Sequence, residues 1–129
     1  RKLADLWQAR GERRYELDDI MLLKVGRHVR PAPNYKLIVG REEGENNWLE
    51  GYRREFDCIR MVSHNGPLVL VDGQPSDGDL LQAARIAGRF SQGRDADEIA
   101  VEITRKGGVA QVVKVVPMRS SELPEAWYV

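Results

Sequence analysis

The sequence predicts a single α+β domain, with a mixed or antiparallel sheet and two to four helices. The chain has 129 residues, 42% of them hydrophobic, which is enough for one core and too little for two. Helical spacing of apolar residues recurs between short runs that are typical of β-strands. The last two runs flank a Gly-Gly turn, as in a β-hairpin.

The N-terminal part predicts a connection to another domain. Leu3, Leu6 and Trp7 fall at helical spacing before the breaker GERR, which predicts a short helix. Because the chain begins without an initiator Met, we expect it to be a piece of a larger protein. Residues 1–16 are interpreted as a helical connector to an upstream domain, 17–119 as the domain itself, and 120–129 as a C-terminal tail. The segment ELDDIMLLKV, residues 16–25, is compatible with a short helix or a strand.

The next segment is strongly basic. Residues 24–41, KVGRHVRPAPNYKLIVGR, carry five cationic side chains and no carboxylate, although the whole chain has no net charge. HVRP and YKLIV read as strands around the breaker PAPN. From Glu43 to Phe56, apolar residues at helical spacing and early acidic residues predict a helix.

The middle and the end of the chain alternate strands with one clear helix. CIRMVS and LVLVDG read as strands joined across HNGP, where Asn65-Gly66 favours a tight turn with positive φ angles. SDGDLLQAARIAGRFSQGR predicts a helix that Ser76, Asp77 or Asp79 caps, with one apolar face that includes Leu80. IAVEIT, RKGG and VAQVVKVV predict a hairpin with a nearly all-apolar returning strand.

Catalytic and metal-binding patterns are absent from the sequence. Ser63 and His64 are adjacent, so they point to opposite sides and do not form a nucleophile-base pair. DGQPSDGD lacks the ligand spacing of a calcium loop, and the single Cys58 excludes an internal disulfide and multi-cysteine zinc sites. We therefore expect a segment that is not an enzyme and holds no metal or cofactor.

Basic residues carry the functional signal. If the strands HVRP and YKLIV are neighbours, their outward positions collect cations on one surface, with Tyr35 available to stack on an unpaired base. The opposing interpretation is that these cations lie on a solvent-exposed face of the sheet and pair with the acidic side chains of the segment 42–50. Arg85, Arg89 and Arg94 add a second basic patch from another part of the chain, which favours RNA binding.

Two segments carry a family resemblance. LIVGREEGENNWLEG resembles the part of the NFACT-R RNA-binding domain where a strand ends in Gly-Arg or Gly-Lys and a Glu-Asn or Gln-Asn pair opens the next helix; here these are Gly40-Arg41 and Glu45-Asn46. DLLQAARIAGRFSQGRDADEIAVEITRKGG is similar to the later block of the family. Together with KVGRHVRPAPNYK, the resemblance covers about two-thirds of the chain in the same order.

The resemblance implies RNA binding in the context of RNA modification. The bacterial version resembles the C-terminal domain of tRNA thiouridylase-like (tRNA methyltransferase-like) proteins, where it follows a nucleotide-binding catalytic domain. The partners implied are RNA, foremost tRNA, and that upstream catalytic domain, in the cytoplasm and away from membranes. The candidate RNA-binding residues are Arg27, His28, Arg30, Tyr35, Lys36, Arg41, Asn46, Arg85, Arg89, Arg94 and Lys106.

One departure limits what the resemblance implies. Ribosome-quality-control members of the family carry Asp, Trp and His in the strand that corresponds to FDCIRMV, whereas here Asp57 is followed by Cys58, Ile59 and Arg60. A role in ribosome rescue is therefore not expected.

Two alternatives stay open. A protein-interaction or dimerisation module would use Trp7 and the C-terminal AWYV, if these are exposed. A sulfur relay would use Cys58 as a persulfide.

Overall fold

A computed structural model describes residues 25–52 and 55–129. These ranges form a six-stranded sheet, two α-helices and two short 3₁₀ turns. The predicted connector, residues 1–16, and most of the ambiguous segment ELDDIMLLKV lie outside the described residues.

The sheet is antiparallel throughout. Its strands are β1 (Arg27–Ala32), β2 (Tyr35–Val39), β3 (Asp57–Met61), β4 (Val69–Gly73), β5 (Ile99–Thr104) and β6 (Ala110–Val115). Their order across the sheet is β1-β2-β4-β3-β5-β6. The α+β prediction is confirmed, and of the two sheet types the antiparallel one is observed.

The helices cover opposite faces of this sheet. α1 (Glu43–Glu50) lies on the face that carries Ile38, Cys58 and Leu70. α2 (Asp77–Arg89) packs on the other face with Leu80, Ala83, Ala84, Ile86 and Ala87. The strands between the two helices are therefore covered on both faces, and all five residues of β2 are buried.

α2 begins where the sequence predicts. Ser76 Oγ accepts a hydrogen bond from the Asp79 backbone N–H, and the Asp79 carboxylate accepts one from the Ser76 N–H, each at 3.0 Å. This reciprocal capping box satisfies two donors that the first helical turn leaves unpaired. The helix is therefore held at its start by the residues that the sequence singled out.

Two local expectations are wrong. The helix after β2 ends at Glu50, and Phe56 reaches the core from the following turn. The connection between β3 and β4 is a loop over residues 62–68, and neither Asn65 nor Gly66 has a positive φ, so no tight hairpin turn forms there. β6 lies at the sheet edge and is mostly exposed, although its sequence is apolar.

The last ten residues do not trail away from the domain. After β6 the chain follows α2, where the Met118 N–H donates to the Arg85 carbonyl and Leu123 is buried. It then crosses to β1, where Tyr128 forms a bridge with Val29 and the Val129 N–H donates to the His28 carbonyl. Trp127 and Tyr128 are half-buried, which weakens their case as an exposed docking end.

Candidate nucleic-acid interface

β1 and β2 are neighbours, but their cationic side chains do not form an open surface. Both faces of the sheet are covered there, so His28 and Lys36 are only 2% and 1% exposed. The Lys36 ammonium lies 3.2 Å from His28 Nδ1. The interpretation of these two as surface contacts to RNA is therefore wrong in this fold.

Tyr35 is a core residue. Its side chain is fully buried against the α2 face, and its hydroxyl donates to Gln82 Oε1 at 2.9 Å. Burial raises the pKa of Tyr35 above its ordinary value. The ring has no face open to a nucleobase, so the predicted stacking role is incorrect.

Three of the predicted RNA contacts instead stabilise the fold: Arg30, Arg41 and Asn46. The Arg30 guanidinium donates to the carbonyls of Ala32 and Pro33 in the β1–β2 turn, at 3.1 and 3.0 Å. Asn46 Oδ1 accepts from the Leu68 N–H at 3.3 Å, and a Cβ on Gly40 would overlap that oxygen. The Gly-Arg and Glu-Asn pairs of the family resemblance thus join the end of β2 to the approach to β4.

Arg41 is bound to Glu45 within that junction. Its guanidinium donates to both oxygens of the carboxylate, at 2.9 and 2.7 Å, and the backbone N–H groups of Gly26 and Arg41 donate as well. These bonds, with the Arg41 side chain first among them, lower the pKa of Glu45 to about 2. Arg41 remains 54% exposed, but its charge is already matched.

Arg85 and Lys106 lie in two further places. Arg85 Nε donates to the Val116 carbonyl at 2.9 Å and its terminal nitrogen to Glu122 at 3.2 Å, so Arg85 ties the C-terminal segment to α2. Lys106 lies at the opposite end of the sheet, in a cavity that it shares with Glu55, Asp57 and Asp72. Its surroundings are acidic, and it does not extend the patch near Arg89.

Arg89 and Arg94 meet at the C-terminal end of α2. They line a cavity of about 420 Å³ between the end of the helix and the segment after β6, here called the arginine groove. Arg119 lines the same groove, together with Ser120 and Ser121. Asp95 and Asp97 also lie on its wall, so the three guanidinium groups exceed the carboxylates by one formal charge.

The arginines of the groove are the available cations of this surface. Within residues 25–52 and 55–129, Arg89, Arg94 and Arg119 make no ion pair, whereas Arg41, Arg60, Arg85 and Arg105 each do. The negative end of the helix dipole favours a cation at Arg89. Three unpaired guanidinium groups and two hydroxyls around one cavity are suited to bind a phosphate, because each can donate hydrogen bonds to its oxygens.

Arg27 lies against Phe90, the residue that follows Arg89. Its guanidinium carbon is 5.4 Å from the centre of the Phe90 ring and 5.7 Å from that of Tyr128, and Phe90 directly follows Arg89. The side chain is exposed and makes no ion pair within the described ranges. Arg27 is among the RNA-binding residues predicted from the sequence, whereas Arg119 and Tyr128 are not, because only the return of the chain along α2 brings them to this end of the helix.

The remaining polar groups include one contact that the sequence did not predict. Ser63 Oγ lies 2.8 Å from His64 Nδ1, so the expectation that these adjacent side chains point to opposite sides is wrong. No group of three or more His, Cys, Asp or Glu side chains is placed to hold a metal ion among the residues that the structure describes. In the same ranges, no helix combines the length and the apolar character needed to cross a membrane.

Comparison with known proteins identifies a similar fold and a family. No curated protein matches the chain significantly. The C-terminal part of the fibronectin/fibrinogen-binding protein from Streptococcus suis superposes with a TM-score of 0.66 at 17% identity, over 81% of this chain and 50% of that one. At that identity the likeness concerns the fold alone, and this chain spans about half the length of the solved one. The sequence profile described as the NFACT protein RNA binding domain matches residues 26–128, and the chain therefore belongs to the family of NFACT RNA-binding domains.

Proposed function

We propose that this domain is a non-catalytic RNA-binding module that contacts RNA phosphates through the arginine groove. The observation that carries the proposal is the presence of Arg89, Arg94 and Arg119, without ion pairs in the described part, around one cavity. Membership of an RNA-binding domain family supports the choice of RNA as the ligand. The molecule has no net charge, so local segregation of this kind is its means of attracting a polyanion.

The finer part of the proposal concerns the parent protein. We infer from the sequence resemblance that the domain follows the catalytic domain of a bacterial, cytoplasmic tRNA-modifying protein of the thiouridylase-like type, and that its RNA is tRNA. The domain would hold the RNA while the catalytic domain acts on it, without a cofactor of its own. A glycine-rich pyrophosphate-binding loop and catalytic cysteines encoded upstream would support this parent, and an unrelated upstream domain would contradict it.

The groove is tested by charge removal. Arg89→Gln, Arg94→Gln and Arg119→Gln, combined, should weaken tRNA binding and flatten the plot of log K against log salt by about 0.7 to 0.9 per lost phosphate contact. Fluorescence anisotropy at several salt concentrations measures both quantities. Unchanged affinity and slope would contradict the groove as the RNA site.

Two variants serve as matched controls. Asp95→Asn removes a negative charge from the same groove, so it should strengthen binding. Arg105→Gln removes a cation that pairs with Asp77 at the start of α2, away from the groove, and should leave RNA affinity nearly unchanged. A loss of affinity per removed charge that is confined to the groove arginines, and absent in Arg105→Gln, would separate a local phosphate site from a general charge effect.

Absence of catalysis is tested directly. The purified chain, incubated with ATP and tRNA, should neither hydrolyse the nucleotide nor modify the RNA. Turnover by this chain would contradict the non-catalytic assignment.

A protein-interaction module remains the second candidate, supported by the β6 edge. Val112 and Val116 are 58% and 52% exposed, and Val109 in the preceding turn is 91% exposed. Exposed edge strands with apolar side chains are suited to pair with another strand. A dimer that persists at high salt and is lost in Val112→Glu would favour this function over RNA binding.

A further inference from the structure

Arg27, Phe90 and Tyr128 form a cluster of one guanidinium and two aromatic rings, here called the Arg27 stack. The guanidinium of Arg27 lies within 6 Å of both ring centres, Arg27 is exposed, and the two rings are half-buried. The C-terminal segment holds Tyr128 in place through its bridge to Val29. Aromatic rings and guanidinium planes are the groups on which proteins stack unpaired RNA bases.

The Arg27 stack and the arginine groove share the C-terminal end of α2. Arg89 lines the groove and Phe90, the next residue, faces Arg27. A phosphate donor set and a stacking surface are thus contributed by consecutive residues at the end of one helix. A nucleotide has both a phosphate and a base, but the base is free to stack on protein only where it is unpaired.

We propose that this end of the domain selects unpaired nucleotides, with a backbone phosphate in the arginine groove and the adjacent base against the Arg27 stack. The inference rests on the proposed RNA-binding function and specifies its substrate as single-stranded or looped RNA. A regular duplex offers phosphates to the groove but keeps its bases within the helix. The chain therefore binds single strands more tightly than duplexes of equal charge.

Two probes test the preference. A short uridine oligomer and a blunt-ended RNA duplex with the same number of phosphates are titrated with the 129-residue chain by fluorescence anisotropy. Tyr128→Leu keeps apolar bulk but removes the ring face, and Arg27→Lys keeps the charge but removes the planar group. Each should weaken binding of the uridine oligomer by about 5- to 150-fold, the range for one stacked base, while duplex affinity stays the same.

The salt dependence separates stacking from charge. Tyr128→Leu and Arg27→Lys should leave the slope of log K against log salt unchanged, since neither alters the number of cations. Tyr52→Leu, which breaks the tilted ring pair with Trp48 on α1, is the aromatic control and should affect neither probe. Urea unfolding shows whether a variant is folded, and Arg27→Lys remains informative if Tyr128→Leu is not.

The outcomes distinguish the two proposals. If the wild type binds duplex as tightly as the uridine oligomer, or if both stack variants bind the oligomer normally, selection of unpaired nucleotides is wrong while groove binding stands. If the wild type binds neither probe at low salt, the proposed RNA-binding function fails and the selectivity with it.

Discussion

Individual residues of the basic stretch differ in their surroundings more than in their chemistry. Arg30 and Arg41 are cations like Arg89, yet the first donates to carbonyls in a turn and the second to a carboxylate. Lys36 is buried beside His28. A charge in a sequence is available to a ligand where the fold does not bind it in an ion pair, and in the described ranges Arg89, Arg94 and Arg119 meet that condition.

Glu45 leads to a pH-dependent prediction. Its pKa is lowered from 4.5 to about 2, foremost by the hydrogen bonds from Arg41, so the ionised form stabilises the folded state. That stabilisation is complete above about pH 4.5 and is lost as the pH falls towards 2. Glu45→Gln should reduce the free energy of unfolding at pH 7 by about 1.5 to 3 kcal/mol, the range for hydrogen bonds to a charged group.

Urea unfolding of wild type and variant at a series of pH values measures this difference. It should shrink between about pH 4.5 and 2 as the carboxyl of the wild type takes up its proton. Glu43→Gln, an exposed acid on the same helical turn, is the control and should change little. A difference that is constant with pH would show that the Glu45 charge has no role in stability.

Cys58 leads to a prediction on the sulfur-relay alternative. Its thiol is 4% exposed, and burial raises its pKa to about 11, so the reactive thiolate is scarce at neutral pH. In the folded chain we expect iodoacetamide to modify Cys58 far more slowly than in urea. Equal rates in the two conditions would reopen the relay.

At the scale of elements, the two helices anchor on the sheet through the stripes that the sequence indicates. Leu49 of α1 and Leu80, Ala84 and Ala87 of α2 are all buried. Both helices pack on the sheet that contains the β5–β6 hairpin. β6 is mostly exposed despite its apolar sequence, because an edge strand has a partner on one side only.

α2 offers a matched pair of leucines. Leu80 is 3% exposed in the core, whereas its neighbour Leu81 is 46% exposed on the outer side. Leu80→Ala should lower the free energy of unfolding by about 2 to 5 kcal/mol, because it leaves a cavity between α2 and the sheet. Leu81→Ala should change it by less than about 0.5 kcal/mol. Urea unfolding of both variants checks the orientation of α2, and equal costs would mean that it is wrong.

At the scale of the whole molecule, the C-terminal segment connects the two sides of the site. It leaves β6 at one edge of the sheet, passes Arg85 on α2 and ends against β1 at the other edge. On the way it contributes Arg119 to the groove and Tyr128 to the Arg27 stack. We infer that this segment belongs to the functional unit, although the domain boundary drawn at residue 119 stays a prediction.

Truncation tests that inference. A chain that ends at Glu122 retains Arg119 but loses Leu123, which is buried, and Tyr128. Its free energy of unfolding should fall by at least about 2 kcal/mol, the lower end for removal of one buried leucine. Urea unfolding measures the loss. A truncated chain as stable as the wild type would show that residues 123–129 are a dispensable tail.

The sequence by itself determined the local elements and the family. The spacing of apolar residues located α2, the strands and the β5–β6 hairpin, because such signals depend on neighbours within a few residues. The capping candidates Ser76, Asp77 and Asp79 marked the start of α2, and the structure selects Ser76 as the N-cap. The order of its motifs indicated the RNA-binding family that the comparison confirms.

Only the tertiary structure decided which charged side chains are accessible to a ligand. Burial of Tyr35 and Lys36, the pairing of Arg41, and the meeting of Arg27, Arg89 and Arg119 all depend on how distant segments pack together. Solvent exposure and ion pairing are properties of three-dimensional neighbours, which the spacing of residues along the chain does not specify.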